Sequence, residues 1–93
     1  MEVDSQMASH EETLAHLQQS ADNCLNIHGA IQNAVQLSSD LLGSLQASLG
    51  NTTAYTEVAG YCQSVLSQLE ASAQAMEQTK HAIDGLMARF HGA

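Results

Sequence analysis

The sequence contains no proline and no tryptophan, and its only aromatic residues are one phenylalanine and two tyrosines. Without proline, nothing in the 93 residues forces a helix to kink or stop, so long uninterrupted helices are allowed. Much of the apolar content is alanine, which permits close helix packing but buries little area per residue. These features predict one slender helical domain spanning residues 1–93.

Basic residues are almost as scarce. Lys80 and Arg89 stand against ten acidic residues, for a formal net charge of −8. Neutralising a phosphate backbone requires clusters of lysine and arginine, so a nucleic-acid partner is excluded and an anionic membrane surface is disfavoured. No apolar run approaches the roughly 20 residues of a membrane span. The first residues also lack the basic and apolar regions of a cleavable signal peptide. We therefore expect a protein that starts in the cytoplasm and, if exported, uses a route without that signal.

The midpoint of the chain carries a helix-stop signal. Gly50 can end a helix in the left-handed conformation without a Cβ clash, and Thr52 or Thr53 can cap the following helix. We expect an all-α, antiparallel two-helix hairpin with its turn at Gly50, Asn51 and Thr53. The predicted segments are a first helix over about 9–49, a turn at 50–53 and a second helix over about 54–91.

A seven-residue apolar repeat, with alternating steps of three and four, runs through both predicted helices. In the first helix it comprises Leu14, Leu17, Ala21, Cys24, His28, Ile31, Val35, Ser38, Leu42, Leu45 and Leu49. In the second it comprises Tyr55, Val58, Cys62, Val65, Leu69, Ser72, Met76, Thr79, Ile83, Leu86 and Phe90. Such repeats are typical of antiparallel coiled-coil-like packing. If the two repeats face each other so that Leu42 meets Cys62, then Cys24 and Cys62 lie about 27 Å apart along the axis. That distance is too long for a disulfide, so we expect two buried free thiols.

A second apolar stripe lies on the first helix, on a face roughly 110° from the seam at 100° per residue. The stripe comprises Ile27, Ala30, Ala34, Leu37 and Leu41, and the second helix echoes it with Tyr61, Ala71, Ala75 and Ala82. A helix that is apolar on two faces has two neighbours. The stripe therefore predicts an interface that completes a four-helix bundle with a second copy or another protein. The alternative is ordinary scattered surface alanine and leucine.

No pattern for catalysis, metal binding or cofactor binding is visible. A zinc site needs three or four converging ligands, and the five histidines lack ligand-type spacing. Neither cysteine has a basic neighbour to activate it, and a two-helix rod offers no deep pocket. We therefore expect a protein that is not an enzyme. A separate hypothesis concerns His28, which the repeat places in the seam opposite Met76, where protonation could make assembly pH-sensitive.

The turn and the C-terminal end resemble a known family. Ser48-Leu49-Gly50 occupies the place of the W-x-G in the WxG-type (ESAT-like) small substrates of type VII secretion, keeping the glycine but not the tryptophan. Leu49-Gly50-Asn51-Thr52-Thr53-Ala54, followed by Ile83 and Phe90, is more similar to the Trp-less hairpins that accompany LXG-type toxins. In that group a C-terminal F-x-x-x-D is an export signal, and Phe90-His91-Gly92-Ala93 supplies the F-x-x-x.

This resemblance implies a non-enzymatic partner that binds the helical N-terminal domain of a larger toxin, or a second copy. It also implies export without a cleaved signal peptide, with Phe90 as the signal residue presented to the secretion ATPase. Two alternatives remain open from the residues alone. One is a structural coiled-coil subunit or adaptor, such as a type III secretion rod or filament component, and the other is an export chaperone that stays in the cytoplasm.

Overall fold

The structure is a computed structural model, and it describes residues 9–92. Helix α1 spans His10–Leu49 and helix α2 spans Thr53–Gly92. The two helices pack against each other in an antiparallel hairpin with overall dimensions of 65 × 26 × 14 Å. The predicted all-α hairpin is confirmed, and both helices begin and end within one residue of the expected positions.

Side-chain caps set the beginning of each helix. The Ser9 hydroxyl accepts a hydrogen bond from the Glu12 N–H at 3.0 Å, which satisfies one of the orphan donors of the first turn. Glu11 and Glu12 also place negative charge at the N-terminus of α1, where the helix dipole favours it. At the start of α2 the Thr52 hydroxyl accepts from the Tyr55 N–H at 3.1 Å. Of the two threonines considered for this role, Thr52 is therefore the cap, and Thr53 is the first helical residue.

The turn differs from the prediction in its backbone conformation. Gly50 has φ −52° and ψ −27°, which is right-handed, so the predicted left-handed stop is wrong. The chain reverses instead through Thr52, whose N–H and hydroxyl both donate to the Leu49 carbonyl, at 2.9 and 2.7 Å. Glycine is still required at position 50, for a different reason. A Cβ there would lie 2.5 Å from the carbonyl oxygen of Gln46.

The seam of α1 forms where the repeat predicts it. Each of the eleven predicted α1 positions is buried or half-buried. On α2, Tyr55 and every seventh residue after it, up to Phe90, are buried or half-buried as predicted. The seam positions between them are each one residue later in the chain than predicted, at Ala59, Leu66, Ala73, Lys80 and Met87. The residues predicted there are exposed, namely Val58, Val65, Ser72, Thr79 and Leu86.

This shift has a physical reason. The observed phase buries Ala59 and Ala73, whose small side chains let the two helices approach closely, and leaves the hydroxyls of Ser72 and Thr79 outside. Water can solvate both hydroxyls outside the seam, and burial would remove that solvation at a cost, although the Thr79 hydroxyl also donates to the Ala75 carbonyl at 2.8 Å. Lys80 enters the seam only with its aliphatic stem, because its Nζ reaches out to Asp84 at 2.8 Å.

The interior of the hairpin is thin. Among residues 9–92 the buried apolar side chains are Ala21, Cys24, Ala59, Cys62 and Ala73, and none of the large side chains is fully buried. Cys62 Sγ lies 3.5 Å from the Ser38 carbonyl, about 21 Å along α1 from Cys24 at 1.5 Å per residue. Both thiols are free. A hairpin that buries only small residues gains little stability by itself.

Candidate protein–protein interface

Large apolar side chains are exposed along the length of the hairpin. In the part of the chain that the structure describes they are Leu25, Ile27, Leu37, Leu41, Val58, Tyr61, Val65 and Leu86. Tyr61 is 70% exposed and Leu37 is 60% exposed, values far above those of a core residue. Together they are too many to be explained as isolated surface residues.

All of these side chains except Leu25 lie on one side of the hairpin. Because the packing follows a seven-residue repeat, residues seven or fourteen apart present the same side. Ile27 and Leu41 are fourteen apart on α1, and Val58 and Val65 are seven apart on α2. Leu41 of α1 lines one groove together with Val58, Tyr61 and Val65 of α2. We call this surface the apolar face, comprising Ile27, Ala30, Ala34, Leu37 and Leu41 of α1 with Val58, Tyr61, Val65, Ala75, Ala82 and Leu86 of α2.

A groove lies on the apolar face near the turn. It encloses about 240 Å³ and is lined by Ser38, Leu41, Leu45, Val58, Tyr61, Cys62 and Val65. None of the lining side chains is charged. We call it the turn groove. Leu41 from α1 and Tyr61 from α2 form its exposed rim, and half-buried Leu45 and buried Cys62 lie deeper in it.

The structure places the predicted interface residues as follows. Ile27, Ala30, Leu37 and Leu41 are exposed in line along α1, and Ala34 is half-buried among them. On α2, Tyr61 and Ala75 are exposed on the same side of the hairpin, with Ala71 exposed at its edge. Leu41 and Tyr61 are brought together in the turn groove.

Three large residues of this surface, Val58, Val65 and Leu86, were predicted in the seam of α2. The interface predicted from the sequence therefore did not include them. The signal that would have found them was available. If every second position of the α2 repeat is shifted by one residue, polar Ser72 and Thr79 leave the seam. The same shift places Val58, Val65 and Leu86 on the exposed surface.

Charge is segregated from the apolar face. The acidic residues that the structure describes are Glu11, Glu12, Asp22, Asp40, Glu57, Glu70, Glu77 and Asp84, and none belongs to that face. Glu70, Glu77 and Asp84 follow one another at seven-residue spacing on the opposite side of α2, which we call the acidic side. A second groove of about 300 Å³ lies there, lined by His28, Gln32, Val35, Glu70, Ala73, Gln74 and Glu77. The apolar face thus carries no acidic residue, whereas the acidic side of α2 carries three.

His28 lies at the margin of the seam beside this acidic side. It lines a small groove together with Met76, the residue predicted opposite it. Its Nε2 lies 3.4 Å from Glu77 Oε2, and the His28 side chain is 25% exposed. A protonated His28 would therefore form an ion pair with Glu77 instead of leaving an unpaired charge in the seam. The pH-sensitivity of assembly through His28 stays a prediction, with Glu77 as the carboxylate beside it.

Phe90, the predicted export-signal residue, lies at the open end of the hairpin. Its ring is half-buried against His10, with ring centroids 5.1 Å apart. His10 Nε2 also makes a hydrogen bond to the Phe90 carbonyl. Phe90 is 29 residues from Tyr61, or about 43 Å along α2 at 1.5 Å per residue. The predicted signal and the turn groove are therefore at opposite ends of the molecule.

The described residues show little that suggests chemistry. Within 9–92, no three histidine, cysteine, aspartate or glutamate side chains converge as they would to hold a metal ion. Over the same range, neither helix has an apolar segment long enough to cross a membrane. What remains is the apolar face.

Comparison with known proteins gives no further guidance. Neither the known protein-family models nor the curated proteins match this chain, and no solved structure matches it. The apolar face and the residues around it are therefore the features of the molecule that indicate a function.

Proposed function

We propose that this protein is a non-enzymatic helical-hairpin subunit that packs its apolar face against a helical hairpin of another protein, completing a four-helix bundle. The observation that carries this proposal is the segregation of charge. A chain with a net charge of −8 keeps its apolar face free of acidic residues and lined with exposed Leu37, Leu41 and Tyr61. Uncharged, apolar surface of this extent is typical of interaction sites.

The size of the apolar face fits a stable interface. It extends over 58–86 of α2, about 42 Å at 1.5 Å per residue. Two helices separated by 8–10 Å make it about 20 Å wide. On α1 the face extends only over 27–41, about 21 Å, so the area is about 600 Å² on each partner, at the lower end of the standard size for a specific complex. A partner covering it would also bury the large side chains that the hairpin alone leaves exposed.

The resemblance to the Trp-less hairpins of type VII secretion gives the finer proposal. The partner would be the helical N-terminal domain of a larger LXG-type toxin, and the pair would be exported together. Phe90 would contribute to the signal that the secretion ATPase recognises. The acidic hairpin, the glycine at the turn and the position of Phe90 in the last turn of α2 support this proposal.

The interface is tested with charge-introducing variants on opposite sides of the hairpin. Leu41→Glu and Tyr61→Glu put a carboxylate on the apolar face, whereas Gln32→Glu puts one on the acidic side as a matched control. Each variant is co-expressed with the candidate partner domain and analysed by size-exclusion chromatography with light scattering. We expect both face variants to lose the complex and the control to retain it. Retention of the complex by a Leu41→Glu/Tyr61→Glu double variant would show that the face is not the interface.

The export role is tested separately in a strain with an active type VII system. We expect the protein in the culture medium, and we expect Phe90→Ala to remain in the cells while still co-purifying with its partner. His91→Ala, which changes the neighbouring exposed residue, serves as the control and should be exported normally. Normal export of Phe90→Ala, or retention of the wild-type protein in the cells, contradicts this role. Retention in the cells would instead favour a cytoplasmic export chaperone.

A second candidate is a structural coiled-coil subunit that associates with itself. The observation that favours it is that the apolar face is continuous across both helices, so a second copy can cover it. Such a subunit has a solution mass that is a multiple of 9.9 kDa without any partner. Light scattering of the purified chain distinguishes it from a hairpin that is monomeric until its partner is added.

A further inference from the structure

We infer that the turn groove receives a bulky apolar side chain from a basic amphipathic helix, whose lysine or arginine residues pair with Asp40 and Glu57 on either side of the groove. This inference rests on the proposed function and specifies the chemistry of the partner. It commits to a helix of another protein and not to a second copy of this chain.

The shape of the groove fits a side chain better than a small molecule. Its volume of about 240 Å³ is below the roughly 300–1,000 Å³ of small-molecule pockets. The groove runs between α1 and α2, along the axis of the hairpin. A third helix can therefore lie along it and insert one side chain. Tyr61, 70% exposed at its rim, is a residue type that often dominates binding energy at interfaces.

Two carboxylates flank the groove, and the contact of Cys62 with Ser38 places Glu57 nearer the turn than Asp40. Asp40 immediately precedes Leu41 on α1, and Glu57 immediately precedes Val58 on α2. The seven-residue repeat places both at the outer edges of the apolar face, one on each helix. Asp40 accepts only a neutral hydrogen bond, from Gln36 Nε2 at 3.1 Å. Neither carboxylate belongs to an ion pair within residues 9–92, so both are available to cations from a partner.

Charge argues against a second copy in this position. The chain has two basic residues, and Lys80 is already paired with Asp84 at 2.8 Å on the other side of α2. A head-to-tail copy can bring only Arg89 to the groove, so one of the two carboxylates remains unpaired. Two copies also carry −8 each, or −16 together. A helix with several lysine or arginine residues satisfies both carboxylates and reduces the total charge.

The test uses two labelled synthetic helical peptides and the full-length chain. Both peptides carry the same leucine and phenylalanine stripe at i, i+3, i+4 and i+7, but one is flanked by lysine and the other by glutamate. Fluorescence anisotropy should show at least about tenfold tighter binding of the lysine peptide at low salt. The advantage should shrink at about 1 M salt, where the Debye length falls to about 3 Å.

Matched charge-neutral variants locate the effect. Asp40→Asn/Glu57→Gln should weaken the lysine peptide by roughly two- to thirtyfold, the range for two exposed ion pairs. Glu70→Gln/Glu77→Gln removes the same charge from the acidic side and should change affinity much less. Equal losses in the two double variants would overturn the inference, because the attraction would then be general rather than local.

The remaining outcomes separate this inference from the proposed function. If both peptides bind equally and Tyr61→Ala abolishes binding, the apolar face docks helices but does not select basic ones. If neither peptide binds and the chain is a dimer that Arg89→Gln weakens, the occupant is a second copy, and the inference is wrong. If neither binds and the chain is a monomer, the inference is wrong, whereas the proposed interface is decided by co-expression of Leu41→Glu and Tyr61→Glu with the partner domain.

Discussion

The same glycine-to-alanine substitution should have opposite effects at two positions of this hairpin. At Gly29, inside α1, an added Cβ meets no atom within 4 Å. Alanine is favoured over glycine in a helix interior by up to about 1 kcal/mol, so Gly29→Ala should stabilise the fold. At Gly50 the added Cβ would lie 2.5 Å from the Gln46 carbonyl oxygen, whereas ordinary contacts begin at 3.4 Å.

The backbone must therefore move by nearly 1 Å to accept a side chain at Gly50. An extra methyl group forced into occupied space costs about 1–3 kcal/mol. The gain in helix propensity offsets only part of this, because Gly50 is at the end of the helix. With a urea dependence of about 1 kcal/mol per molar, Gly29→Ala should raise the midpoint by up to about 1 M. Gly50→Ala should lower it by about 1 M or more.

The assay is urea unfolding followed by circular dichroism at a fixed protein concentration, because self-association would change the apparent stability. Similar denaturant slopes in both variants show that the same fold is being compared. A Gly50→Ala variant that is as stable as the wild type would refute the close approach of Gln46 as the reason for glycine. A Gly29→Ala variant that loses stability would indicate that a backbone contact is needed there in solution.

Three further changes test other parts of the fold by urea unfolding. Thr52→Ala removes the cap of α2 and should cost about 1 kcal/mol, whereas Thr53→Ala should cost much less because Thr53 is already helical; equal effects would be inconsistent with the observed cap. Ala73→Leu overpacks the seam and should destabilise the fold by about 1–3 kcal/mol. Ser72→Leu changes an exposed residue and should be nearly neutral. The opposite order of effects would indicate that Ser72, and not Ala73, lies in the seam. Asp84→Asn breaks a partly exposed ion pair and should cost no more than about 0.5 kcal/mol, a difference that should vanish in high salt.

The position of the turn could be predicted from the sequence, but its conformation could not. Glycine followed by two threonines indicates where one helix ends and another begins. The left-handed form was expected because it is the commonest role of a helix-terminal glycine. The structure uses the other property of glycine, its lack of a Cβ, because Thr52 closes α1 with its own hydrogen bonds. Two uses of one residue type leave the same signal in the sequence.

The seam of α2 was only half predictable. The positions seven apart that start at Tyr55 belong to two possible repeats, one continuing through Val58 and the other through Ala59. Hydrophobicity favours the first, because valine is more apolar than alanine. The structure adopts the second, which buries Ala59 and Ala73 and half-buries Leu66, Lys80 and Met87. Which phase is realised depends on the fit between the two helices, and that information is not present in either helix alone.

The interface could be predicted on α1 more fully than on α2. Ile27, Leu37 and Leu41 are large and lie outside a seam that α1 defines unambiguously. On α2 the same surface is formed partly by residues that the wrong seam had absorbed. The turn groove itself needs both helices in register, so its lining by Leu41 and Tyr61 followed only from the three-dimensional arrangement.

The antiparallel course of the helices also brings Ser9 and Gly92 to the same end of the molecule, beside the contact of His10 with Phe90. The turn groove is near the other end, about 43 Å from Phe90 along α2. A fluorophore attached at Ser9 or Gly92 would therefore leave Tyr61 accessible. Peptide binding can accordingly be measured on a chain labelled there, whereas the export test of Phe90 uses an unlabelled chain.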